Sequence, residues 1–100
     1  MTREEAATLI EAVSARIASR DQAFDIQLQL TTAGEALLEL KHVEGLKLLN
    51  RIGLLLITQN GTKNVRYERV RKTVEKLTPL DAEKDSVALL NLAKSIRSES

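Results

Sequence analysis

Between Lys41 and Lys76 the chain carries nine cationic side chains: Lys41, Lys47, Arg51, Lys63, Arg66, Arg69, Arg71, Lys72 and Lys76. Only three acidic residues share that stretch, so its local balance is +6. Cations at this density suit carboxylates or phosphates, which lysine and especially arginine hold by charge-assisted hydrogen bonds. Tyr67 stands inside the cluster and adds a ring and a hydroxyl. The bland alternative is a solvated face that keeps the domain soluble. Against it, no glutamate–lysine ladder at helical spacing neutralises residues 63–72. The chemistry on offer is recognition of an anion.

Catalytic and metal chemistry find little to work with. There is no cysteine, which removes disulfides, thiolate catalysis and Cys-based zinc sites together. His42 is the single histidine and reads as a helix-end residue, not a ligand. The four glycines, Gly34, Gly45, Gly53 and Gly61, are scattered and form no phosphate-cradling loop. Asp81, Glu83 and Asp85 lack the glycine and terminal glutamate of a calcium loop and read as the start of a helix. Aromatic residues make up 2% of the chain, Phe24 and Tyr67, too few for a base-stacking platform. The expectation is a non-enzymatic protein with no cofactor, no metal and no small-molecule substrate.

One hundred residues fit one domain, 1–100, and the overall net charge of +1 conceals an acidic first part. Residues 1–40 hold seven acidic and three basic groups, a balance of −4. The start, Met1-Thr2-Arg3-Glu4-Glu5, does not read as a secretory leader, and the longest apolar run, Leu54–Ile57, is far below the roughly 20 residues that span a bilayer. An intracellular protein, cytoplasmic or nuclear and away from membranes, is expected.

The elements that would position the basic cluster follow from periodicity. Thr2-x-x-Glu5 is a capping box, and Ala6, Leu9, Ile10, Val13 and Ile17 form one helical stripe, predicting a helix over 3–19. Phe24, Ile26, Leu28 and Leu30 alternate with polar residues, predicting a strand over 24–30, with a short helix as the rival. Thr32-x-x-Glu35 is a second capping box, opening a helix over 32–41 that ends in Lys41-His42. A further helix runs from Val43 with Leu46, Leu49 and Ile52 inward. Leu54–Ile57 either continues it, to give 43–57, or begins a strand.

Asn60-Gly61 suits a type I′ hairpin turn, or a left-handed cap on a helix. Residues 64–70 read as extended. Helices follow over 72–78, stopped by Thr78-Pro79, and over 82–97, where either Val87, Leu90 and Ala93 or Ala88, Leu92 and Ile96 are buried. The expected class is mainly α (α+β): about five helices with a small two- or three-stranded sheet or hairpin.

Glu44-Gly-Leu-Lys-Leu-Leu49, Leu56-Ile57, Arg66-Tyr67-Glu68-Arg69-Val70-Arg71 and Leu77 before Pro79-Leu80 together resemble the PUB (PUG) domain of peptide N-glycanase and ubiquitin-pathway proteins. The resemblance covers about residues 43–96. It implies a mainly helical fold with a small sheet, and docking of an acidic peptide tail, that of the valosin-containing AAA ATPase. Tyr67 and Arg71, with Arg69 and Lys47, would form the partner-binding surface. Departures are Val74 where the family has an asparagine after the strand, and Ser95-Ile96 near its closing Gly-Phe. The Tyr and Arg part of the pocket is what carries over.

The alternative is a winged-helix nucleic-acid-binding protein. There, helix 43–52 would present Lys47, Asn50 and Arg51 to a major groove, and a wing at 58–66 would bring Lys63 and Arg66 to phosphates. The two readings part at residues 54–58, which are helical in the first and extended in the second.

Overall fold

A computed structural model describes residues 2–19, 25–61 and 68–99, and its elements are all helices. They are α1 (Arg3–Ala18), α2 (Asp25–Glu39), α3 (Val43–Gly61), α4 (Glu68–Glu75) and α5 (Ala82–Ser98). Among the described residues there is no strand, so the expected α+β class with its small sheet or hairpin is corrected to all-α.

The two ends of the chain pair first. Thr2 caps α1 by accepting the Glu5 N–H at 3.1 Å, and its hydroxyl donates to the Glu5 carboxylate at 3.1 Å. Asp81 caps α5 by accepting the Lys84 N–H at 3.0 Å. The helices run antiparallel. Ser14 donates to the Ser86 carbonyl at 2.7 Å in one half. In the other, Arg97 reaches Glu4 at 2.9 Å and Glu11 at 2.5 Å. Small residues at the seam, Ala7, Ser14, Ser86 and Ala93, are buried and let the backbones approach closely. In α5 the inward residues are Leu89, Ala93 and Ile96, with Leu92 half-buried. Val87 and Leu90 are exposed, so the second of the two expected stripes is the closer.

The strand expected over 24–30 is helix from Asp25 onward. Ile26, Leu30, Ala33 and Leu37 recur at i, i+4, i+7 and i+11 and are all buried. Leu28, which completed the apparent alternation, is 67% exposed. A seven-residue window cannot separate period 2 from period 3.6 when one exposed leucine sits between two core positions. Thr32 is therefore not a cap. It lies inside α2, with its hydroxyl donating to the Leu28 carbonyl at 2.9 Å.

The link between α2 and α3 is tight. His42 N–H reaches the Leu37 carbonyl at 2.9 Å and Lys41 N–H the Leu38 carbonyl at 3.1 Å, the paired bonds of a Schellman ending. Lys41 takes the left-handed backbone conformation this requires, φ 58°. His42 then caps α3, its Nδ1 accepting the Gly45 N–H at 3.0 Å. The other ring nitrogen, Nε2, faces Glu99 at 3.5 Å. Such an acceptor role fits the helix-end reading of His42.

Leu54–Ile57 continues α3, which runs on through Asn60-Gly61. The hairpin at that dipeptide and the wing at 58–66 are therefore absent over 58–61; residues 62–66 lie outside the described residues. The extended segment expected over 64–70 is helical from Glu68, and α4 ends at Glu75, short of the expected 72–78. The aliphatic core joins Ile10, Val13, Leu37, Ile52, Leu89 and Ile96, all fully buried.

Candidate functional site

The cations singled out in the sequence divide into two groups. Arg51 is committed to the fold: its guanidinium pairs with Asp85 and donates to the Thr78 carbonyl at 3.0 Å. Asp85 is only 6% exposed and also accepts the Asp81 N–H at 3.0 Å. This cluster ties the middle of α3 to the start of α5 and to the chain leaving α4. Arg51, one of the cations assigned to a nucleic-acid surface, thus has its guanidinium engaged by Asp85 and the Thr78 carbonyl. Arg97 is likewise held, and its hydrogen bond to Glu11, with the adjacent positive charge, keeps that carboxyl below the usual carboxylate range.

Lys47, Lys72 and Lys76 are exposed. Lys47 lies one helical turn before Arg51 on α3, and Lys72 is in the last turn of α4, which packs beside α3. Arg69 and Arg71 are also α4 residues. Tyr67, Arg66 and Lys63 lie outside the described residues. Asn50 is exposed on α3 beside a feature that the sequence reading missed.

That feature is a groove of about 400 Å³ between α2 and α3. Leu38 and Leu46 line one end, Gln27 and Leu54 the other, and Gly34 and Gly53 lie between. A Cβ built on either glycine would meet nothing within 4 Å, so the groove reaches down to the backbone there. The contrast is Gly45, where a Cβ would meet Leu37 Cδ1 at 2.9 Å. The two helices are antiparallel: Leu37 near the end of α2 meets Gly45 near the start of α3, and the lining runs from Leu38 and Leu46 to Gln27 and Leu54.

A sequence signal for the groove did exist. Over 43–57, α3 carries Val43, Leu46, Leu48, Leu49, Ile52, Leu54, Leu55, Leu56 and Ile57, more apolar positions than one buried stripe uses.

Among the described residues no cluster of His, Asp and Glu is arranged to hold a metal ion. None of the helices, again among those residues, is long and apolar enough to cross a membrane. No protein-family model matches the chain, and no curated protein or solved structure matches it significantly.

Proposed function

We propose that the chain is a non-enzymatic protein-interaction module that docks an acidic peptide tail on its α3–α4 side, as the PUB resemblance implies. The observation that carries this reading is the division among the cations. Arg51 and Arg97 are spent on carboxylates within the fold, whereas Lys47, Lys72 and Lys76 face solvent. Solvent-facing cations with no carboxylate partner among the described residues cost the fold little to keep and can steer an anionic segment. Tyr67, Arg69 and Arg71 belong to the same stretch and are the residues assigned to the tail, with Lys47 at its margin. Recognition would rest on charge-assisted hydrogen bonds to tail carboxylates and weaken as salt rises.

The test is a titration of the labelled full chain with an acidic C-terminal tail peptide, followed by NMR. Tyr67, Arg69, Arg71 and Lys72 resonances are expected to shift, and Arg71→Ala is expected to remove binding while leaving the urea midpoint in place. A variant that binds normally, or one that unfolds, refutes the site. Silence toward the peptide, together with salt-sensitive binding to duplex DNA, refutes the partner class.

A further inference from the structure

We propose that the α2–α3 groove is a self-association face, in which two copies pair about a two-fold axis parallel to the helices and build a four-helix bundle from two α2–α3 hairpins.

The need for cover comes from the residues themselves. Leu38 points into the groove region yet is 66% exposed, and Leu46 and Leu54 are only half-buried. A helix apolar around most of its girth, as α3 is, belongs inside a bundle. The open space over Gly34 and Gly53 allows side chains from a facing helix to approach the backbone as knobs entering holes.

The occupant is identified by charge and symmetry. Glu35 is exposed at the α2 lip of the groove, and Lys47 is exposed just outside the α3 lip. Both lie in the half of the helix pair nearest the α2–α3 link. A two-fold axis along the helices preserves height and places α2 of the second copy over α3 of the first. Glu35 of each copy then meets Lys47 of the other, twice, while Leu38 of each enters the groove near Leu46 of the other. The face is complementary to itself, which is the requirement for a closed isologous dimer. In this assembly Lys47 pairs with Glu35 of the other copy, and Tyr67, Arg69 and Arg71 carry the tail, to which Lys47 stays marginal.

The experiment is sedimentation equilibrium of the full chain over a wide concentration range, with circular dichroism as the folding control. The expected wild-type behaviour is a reversible shift from 11.1 kDa toward twice that mass. Leu38→Glu places a charge in the new core and is expected to raise the dimer Kd by about tenfold or more at unchanged helicity. Glu35→Lys alone and Lys47→Glu alone should each weaken the dimer, and the double exchange should restore it. A wild-type chain that stays monomeric throughout, a dimer indifferent to Leu38→Glu, or a double exchange that fails to rescue would each overturn the proposal. Peptide docking is scored separately at Arg71, so either result leaves the other interpretable.

Discussion

Alanine at position 45 is expected to destabilise this protein, although alanine in place of helical glycine ordinarily helps by up to about 1 kcal/mol. The reason is local crowding. A Cβ on Gly45 would lie 2.9 Å from Leu37 Cδ1, 3.1 Å from His42 Nδ1 and 3.2 Å from Leu92 Cδ2. Carbon atoms pack best at about 3.5–4.0 Å, so three neighbours, on α2, α5 and the α2–α3 link, must retreat together. Leu37 is fully buried among the core side chains, so its shift must be passed on to them. Overpacking of this kind costs about 1–3 kcal/mol. Displacing the imidazole also stretches the 3.0 Å bond from the Gly45 N–H to His42 Nδ1, a cap worth about 1 kcal/mol. With the propensity gain subtracted, Gly45→Ala is expected to lower stability by about 1–3 kcal/mol, or about 4–8 °C in Tm for each kcal/mol. Gly34→Ala and Gly53→Ala, whose Cβ would meet open space, are expected to raise it. The assay is urea unfolding by circular dichroism at low protein concentration, with the slope checked for constancy. A Gly45→Ala variant as stable as wild type would refute the crowding argument, and so would three alanine variants that behave alike.

The ion pair of Arg51 and Asp85 makes a second case. Asp85→Ala is expected to cost about 3 kcal/mol, near the low end for a broken buried pair, because the Arg51 side chain keeps 21% of its exposure. Arg51→Met with Asp85→Leu should cost less than either single truncation, and additive losses in urea would contradict that. The Glu11 carboxyl, lowered by its hydrogen bond to Arg97, gives a pH dependence. A depressed folded value means that its contribution is present above the ordinary carboxylate range and is lost as pH falls through the lowered value. Glu11→Gln should therefore flatten the acid limb of stability below about pH 4, and an unchanged limb would contradict the assignment.

Legibility in the sequence followed the range of the interactions. The Thr2 and Asp81 caps and the stripe of α1 rest on contacts within a few residues, and each stands where the pattern placed it. His42 was readable as a helix-end residue, but its particular work was not. Its partners, Gly45 and Glu99, combine a local N–H with a carboxylate from the far end of the chain. The alternation at 24–30 misled because Leu28 had no visible reason to be outside; only the packing of α2 between α1 and α3 puts it there. Asn60-Gly61 is compatible with a hairpin or a helix end, and neighbours decide between them.

For the candidate site the difference is sharper. Composition alone determined a chain without thiols, short of rings, and with its positive charge gathered between Lys41 and Lys76. Which of those cations face outward was a tertiary decision. Arg51 and Lys47 are cations one turn apart, yet Asp85, 34 residues beyond Arg51 along the chain, pairs with Arg51 alone of the two. The groove over Gly34 and Gly53 is tertiary in the same sense. A glycine within a helix means nothing until its neighbours are known: the space over Gly34 and Gly53 is open, whereas that over Gly45 is filled by Leu37, His42 and Leu92.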